Sequence, residues 1–404
     1  MACEQLNAPK YGLPEKVVFC KRCVISNQRP SSCIEFQHNK NSSKETIGFD
    51  KEGICDACHF SEKKDKSIDW ALREKELKDL LNRFRSNDGR YDVLVPGSGG
   101  KDSVFASHIL RKKYNMHPLT ITWAPHIYTD IGWKNFQGWI HSGFDNLLFT
   151  PNGKVHRLLT KLAYENLLHP FQPFILGQKN LAPKYAALHN IQLVIFGENE
   201  AEYGNPIQDT HTPIRDEKYY MTGNFNNLYL GGVSVNEIQE KYDISTVELA
   251  PYLPASYDLM DKKEVQVHYL GYYLKWVPQE AYYYAVEHSG FEANPERTEG
   301  TYSKYNSIDD RTDGFHYWTT FIKFGIGRAT YDAAQEIRNH HISREEGVAL
   351  VHRFDGEFPK KYFKEFLEYI SLDEERFFEI ANNARSPHLW KKDGNEWKLK
   401  YKVS

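Results

Sequence analysis

Between residues 91 and 204, short apolar runs alternate with longer stretches whose apolar residues recur at helical spacing. The runs YDVLV (91–95), HPLTITW (117–123) and DNLLFT (145–150), with the apolar start of IQLVIFGENEAEYG (191–204), predict four strands. Helices are predicted from Asp102 onward and over 131–141, 154–168 and 174–189. Ahead of them, Ile68, Leu72, Leu77, Leu80, Leu81 and Phe84 predict an amphipathic helix over 67–85. Strands alternating with helices imply an α/β fold with a doubly wound parallel sheet, whose ligands sit at the carboxyl ends of its strands. Residues 205–250 are polar, aromatic and weakly periodic, the pattern of a binding loop or lid. From about 251 the chain reads as mainly helical, with capping boxes predicted at Ser343 to Glu346 and Ser371 to Glu374.

Three predicted strand ends carry candidate chemistry. The first runs into Gly97, Ser98, Gly99, Gly100, Lys101, Asp102 and Ser103 before helical spacing begins. Strand, glycine loop and helix in that order make an anion site, because glycines let the backbone approach a ligand and the first helical amides point at it. Ser98 and Ser103 add hydroxyl donors, and Asp102 is placed to hold Mg2+ bridging phosphate oxygens. The loop is neither a Walker sequence nor GxGxxG, since Asp102 stands where each needs a glycine. The second end, Thr122 with Trp123, is expected near an adenosine. Gly197, Glu198 and Glu200 form the third, able to reach magnesium or substrate.

Composition narrows the class. A chain of 404 residues holds two or three domains, expected here at 1–66, 67–250 and 251–404. Its 54 acidic and 51 basic residues nearly cancel, so no electrostatic footprint for nucleic acid is present. The start MACEQLNAPKYG is not a signal peptide, and no apolar run reaches membrane-span length, so a cytoplasmic protein is expected. Cysteines stand at 3, 20, 23, 33, 55 and 58. Cys20 with Cys23 and Cys55 with Cys58 form two CxxC knuckles, the spacing of a closed structural zinc site that holds together a segment poor in apolar residues. Cys33 and His38, in the loop between the knuckles, are substitute ligands. Cys3 follows Ala2 and so cannot become an N-terminal nucleophile by loss of Met1. Residues 297–338, polar and aromatic with mixed charges, read as a substrate surface, with Lys323 and Arg328 around FGIG reaching back towards phosphates.

SGGKDS resembles the pyrophosphate-binding loop of the ATP pyrophosphatases, which cleave ATP between the α and β phosphates and pass AMP to a substrate oxygen. Several segments in order, FCKRCVISNQRP, GICDAC, PGSGGKDS, FGENEAEYG, LGYYLKWVPQEAYYYA, RTEGTYSKYNSIDDRTDGFHYWTTFIKFGIGRA and QEIRNHHISREEG, together resemble the N-acetyl sugar amidotransferase family. That resemblance implies an enzyme of lipopolysaccharide O-antigen or flagellin-sugar biosynthesis that turns an acetamido group of a nucleotide-activated sugar into an acetamidino group. It also implies ammonia from a partner glutaminase subunit with a cyclase-like companion. On this basis Ser98, Gly99, Gly100 and Ser103 hold the β and γ phosphates, and Lys101 or Lys323 with Arg328 offsets charge on the pyrophosphate. Tyr302, Lys304, Tyr305, Asp309, Asp310 and His316, with Glu200, are expected to meet the sugar nucleotide. The alternative is a tRNA-thiolating ATP pyrophosphatase, disfavoured because no cysteine follows Cys58.

Overall fold

The computed structural model describes residues 8–206 and 212–404, so Cys3 lies outside the described residues. Its organising layer is a five-stranded sheet. Strands β1 (Val93–Pro96), β2 (Pro118–Trp123), β3 (Asn146–Phe149) and β4 (Leu193–Phe196) fall where the apolar runs predict them. A fifth strand, β5 (Gln266–Tyr269), completes the order β3-β2-β1-β4-β5, and every pairing is parallel. β5 pairs with β4 in the register Val194 to Val267, so the sheet continues past residue 250, where a domain boundary was expected.

Helix α1 (Asp56–Lys66) was not predicted; α2 (Trp70–Phe84), α3 (Lys101–His108), α4 (Asp130–His141), α5 (Gly153–Leu167) and α6 (Gln172–Leu188) account for the predicted helical stretches. Capping sets two of the starts: Asp69 accepts from Leu72 N at 3.0 Å ahead of α2, and Thr129 from Gly132 N at 2.9 Å ahead of α4. Alternation along the strands makes the sheet two-faced. Val93, Val95, Leu193 and Ile195 pack with Leu77, Leu80 and Leu81 of α2 and Ala106 of α3 on one side. Leu94, Leu119, Ile121, Val194 and Val267 pack with Leu159 of α5 and Leu181 and Ala186 of α6 on the other. Both faces are therefore covered, as a parallel sheet requires.

The described part of 205–250 is not a lid over the sheet. Tyr220, Met221, Leu228, Leu230, Ile238 and Leu249 are buried in the same core as α5 and α6, and Met221–Thr222 pairs with Ala255–Ser256. Residues 207–211 of that stretch lie outside the described residues.

Beyond β5 the chain forms α7 (Pro278–Ser289), α8 (Asp313–Phe324), α9 (Arg328–Arg338), α10 (Arg344–Phe354), α11 (Phe363–Ile370) and α12 (Glu374–Ala384), followed by a hairpin of Trp390–Asp393 and Glu396–Leu399. The Ser343 to Glu346 capping box forms as predicted. The second box does not: Ser371 takes a left-handed conformation closing α11, and Asp373 caps α12 by accepting from Arg376 N at 2.7 Å. Among the described residues, no helix is long and apolar enough to cross a membrane.

The knuckle segment has no core of its own. Its four paired cysteines, Val24, Ile25, Ile47 and Ile54 share a cluster with Ile326, Ala333, Ala334 and Val403 from the C-terminal region. Lys64 of α1 pins the same junction: its Nζ reaches Glu202 Oε2 and Asn339 Oδ1 at 3.0 Å each and the Trp276 carbonyl at 3.3 Å. Lys64 is 1% and Glu202 2% exposed. Removing one partner of such a pair strands the other charge, so Lys64→Met is expected to destabilise by about 3–5 kcal/mol in denaturant unfolding. Lys64→Met with Glu202→Leu should recover most of that loss; equal destabilisation of single and double variants would show that the pair is not the cause.

Candidate active site

The strand order reverses between β1 and β4, the switch point at which an open parallel sheet leaves a crevice. The glycine loop follows one of these strands and Gly197 with Glu198 follows the other. Gly99 takes φ +86°, and a Cβ there would lie 2.6 Å from the Phe136 Cα, so the loop can run against α4 only with glycine. Gly97 is held as closely, with Ser103 Cβ 2.1 Å from where its own Cβ would be. Gly100 then stands as the N-cap of α3, whose first amides face the crevice.

Two connected hollows open here. One, about 310 Å³, lies across the strand ends and is lined by Gly97, Ile121, Trp123, Phe196, Arg215 and Tyr269. The other, about 650 Å³, is walled by the knuckle segment on one side and by α8 and α9 with the 305–313 segment on the other. Ser98, Gly100, Asp102, Lys179, Glu198 and Glu200 line both. The first has the apolar walls and depth for a nucleoside and the second has room for a larger substrate, with the phosphate loop at their junction.

Asp102 sits at that junction, its Oδ2 2.5 Å from Lys101 Nζ and its Oδ1 accepting from Trp276 Nε1 at 2.9 Å. Glu198 faces it. Although open to the cavity, Glu198 lies deep in the molecule, and burial followed by the charge of Asp102 pushes its carboxyl up to about 7. Two crowded carboxylates beside an anion loop are a donor set that a hard divalent cation would relieve. Because the acid is raised, Glu198 is largely neutral below pH 7 and charged above it. Mg2+ affinity of the free chain is therefore expected to rise about fivefold from pH 6 to pH 7, because below the raised value the cation must displace a proton. Glu198→Gln should flatten that rise in a titration of Mg2+ binding; an unchanged slope would assign it elsewhere.

The remaining predicted residues divide. Trp123 lines the smaller hollow with its indole N–H unpartnered, whereas Thr122, one step along the strand, faces the opposite side and accepts from Asn146 Nδ2 at 3.0 Å. Glu200 borders both hollows but is braced by Asn205, Ser32 and Tyr269. Asp309 and Ser98 both line the larger cavity, with the Ser98 hydroxyl beside the Asp309 carboxylate, so the 305–313 segment approaches the glycine loop. Tyr305 stacks on Tyr282 at 4.3 Å and His316 on Phe171 at 5.0 Å, both on the wall of the larger cavity.

Five of the expected residues have partners of their own, and three of them, Asp310, Lys323 and Arg328, also line the larger cavity. Asp310 acts as a brace, its carboxylate accepting from His126 N and Nδ1 and from Thr312 N and Oγ1, all within 2.9 Å. Tyr302 is turned away to Glu336 Oε2, and exposed Lys304 bonds the Pro295 carbonyl. The Lys323 ammonium donates to the Leu167 carbonyl at 2.7 Å, and burial lowers its pKa to about 7. Arg328 is paired with Asp332 and Tyr317. The cations that border the smaller hollow are Lys179 and Arg215, the latter 4% exposed with its Nε unpartnered. Sequence reading missed these two, and Trp276 and Asp313 as well. Asp313 opens onto the larger cavity, where burial and Asp309 push its acid up to about 7.

The knuckles converge as their spacing predicts. Cys20 Sγ lies 3.8 Å from Cys58 Sγ, as does Cys23 Sγ from Cys55 Sγ, and all four are buried. About 3.8 Å is the edge of a tetrahedron with zinc–sulfur bonds of about 2.3 Å, far beyond a disulfide. Backbone N–H groups of Arg22 and Cys55 point at Cys20 Sγ at 3.4 Å, and the Arg338 guanidinium lies beside the cluster. The four residues fit Zn2+, which would act as a clamp, since its coordination is closed. Cys33 is not part of this centre; it lines the larger cavity, so counting cysteines after residue 58 overlooked a thiol within the site.

Sheet order and SGGKDS loop together define an α/β fold, a parallel sheet with an anion loop at its switch point. Comparison with known proteins adds the C-terminal region: residues 299–404 match the family model of the LPS biosynthesis protein WbpG-like C-terminal domain. An uncharacterised protein of Methanocaldococcus jannaschii, MJ1599, is 28% identical over 81 residues, which cover 20% of this chain and 28% of that protein. The chain thus spans little more than a quarter of the curated relative it matches. Among solved structures, NH3-dependent NAD synthetase from Campylobacter jejuni aligns at 17% identity and TM-score 0.28, over 34% of this chain and 60% of that one. The U34-tRNA thiolase NcsA from Methanococcus maripaludis aligns at 13% identity and TM-score 0.28, over 84% and 89%. NMN synthetase from Francisella tularensis aligns at 16% identity and TM-score 0.27, over 57% and 90%.

Proposed function

We propose that this chain is an ATP-dependent amidotransferase that converts an acetamido group on a nucleotide-activated sugar into an acetamidino group for LPS-type polysaccharide. The observation that carries the reading is the joining of an SGGKDS loop, at the sheet's switch point, to a cavity whose far wall belongs to the WbpG-like region. An amide oxygen is a poor leaving group, so the reaction needs it activated. The oxygen attacks the α-phosphorus, pyrophosphate departs, and the adenylated imidate takes ammonia at carbon and releases AMP. Gly99, Gly100 and the first α3 amides receive the phosphates, and Lys101, Lys179 and Arg215 offset their charge. Asp102 and Glu198 would hold Mg2+, which when bound neutralises phosphate charge. Asp309, Asp313, Tyr305 and His316 orient the sugar. Ammonia comes from a glutaminase subunit accompanied by a cyclase-like protein.

A second reading, sulfur transfer, is favoured by one feature, the Cys33 thiol on the cavity wall. A single assay separates the two. The full chain is incubated with ATP, Mg2+, ammonium chloride and a panel of UDP- and CMP-linked acetamido sugars. AMP and pyrophosphate should form, with a sugar product lighter by about one mass unit, the arithmetic of oxygen replaced by NH. ADP with phosphate, or a sulfur-bearing product when sulfide replaces ammonium, would overturn the proposal.

A further inference from the structure

The wall of the larger cavity holds a group of polar side chains that the phosphate chemistry does not use. Cys33, Glu35 and His38 come from one short turn, in which His38 N donates to the Glu35 carbonyl at 3.1 Å. That turn folds their side chains together, with one ligand atom from each lying within 4.8 Å of the others. Cys33 Sγ is 3.3 Å from Glu35 Oε1 and 4.0 Å from His38 Nδ1. His169, from the start of the loop after α5, brings its Nε2 to 3.9 Å from Glu35 Oε2.

Two further observations point to a cation at this place. Glu35 is 6% exposed, yet its Oε2 has no hydrogen-bond partner. Buried carboxylate oxygens are rarely left so. In addition, the Lys44 ammonium already sits among the donors, 2.8 Å from Cys33 Sγ and 3.4 Å from His38 Nδ1.

We propose that Cys33, Glu35 and His38, with His169 completing the set, bind one borderline transition-metal ion, Zn2+ foremost, at a second site separate from the four-cysteine centre. Thiolate, imidazole and carboxylate together suit zinc and not magnesium or calcium. The knuckle site is closed by four thiolates. This one is mixed and opens on the cavity, so its ion can take a small molecule as a further ligand. Lys44, half-buried, competes with the ion for the sulfur and nitrogen donors. The proposal stands apart from the amidotransferase reading, since metal content is measured without substrate.

The test uses the full chain, equilibrated with excess Zn2+ and freed of loosely held ion, with metal counted by mass spectrometry. Two zinc ions per chain are expected for the natural protein and one each for Cys33→Ser and His38→Ala, with melting temperatures close to the natural value. In cobalt-loaded protein, the difference spectrum between natural and Cys33→Ser chains should show a band from a single thiolate. Lys44→Met should hold the second zinc at least about tenfold more tightly against a competing chelator, because the rival charge is gone. One zinc per chain in the natural protein would overturn the site. So would a Lys44→Met chain that melts lower with no gain in zinc affinity, the result expected if Lys44 and Cys33 are merely a structural pair.

Discussion

Asp102→Asn is expected to lower AMP formation from ATP by about 10³-fold at saturating nucleotide, the scale on which removing one preorganised electrostatic partner acts. Asparagine keeps the shape of the side chain and an oxygen to accept from Trp276 Nε1, which now stands 2.9 Å from Asp102 Oδ1. What it removes is the charge that pairs with Lys101 at 2.5 Å and faces Glu198. The loss should therefore fall on kcat, with the melting temperature preserved. Trp276→Phe makes the complementary change, deleting the indole donor while leaving the carboxylate. Its effect should be nearer tenfold, that of one hydrogen bond to a charged group. If Asp102→Asn turned over normally, the carboxylate would have no part in the phosphate chemistry, and the cation would need another home.

The phosphate loop was legible because everything that defines it is local: an apolar run, three glycines and the change to helical spacing lie within about a dozen residues. The first four strands were legible for the same reason. β5 was not, since QVHY is short and half polar, and only its pairing with β4 makes it a strand. The same limit explains the cations. Lys323 and Arg328 flank a glycine pair and do line the larger cavity, but tertiary packing decides their partners, the Leu167 carbonyl for one and Asp332 for the other. Arg215 and Trp276, distant in sequence, reach the crevice because β5 and the segment after it cross its edge. Thr122 shows how fine the distinction is: one residue along a strand reverses the face, and it was the neighbour Trp123 that lined the hollow. The knuckle spacing said that metal holds residues 1–66 together but not where they pack; they form one wall of the larger cavity and carry a thiol into it.

Loss of the four-cysteine centre should therefore abolish activity as well as order. Cys55→Ser is expected to give a chain whose residues 8–66 are cut rapidly by trypsin and whose AMP release falls below detection. Structural zinc sites contribute about 10–16 kcal/mol of apparent binding free energy in small domains, as much as the whole stability of many folds. Here the four cysteines, with Val24, Ile25 and Ile47, are packed against Ala333 and Ala334 of α9, so melting the knuckles exposes that helix too. Arg344 adds to the coupling by donating to the carbonyls of Cys23 and Cys20 at 3.2 and 3.3 Å. Damage should thus spread from the N-terminal segment to 326–354 while the parallel sheet, whose core takes only Phe36 and Ile34 from these two regions, keeps most of its protection in hydrogen exchange. Cys33→Ser is the matched comparison: it removes a thiol from the same segment without touching the clamp, and its protease resistance should equal that of the natural chain. Equal resistance of Cys55→Ser would mean that the thiolates do not organise the wall, and that packing on α9 alone holds the cavity closed.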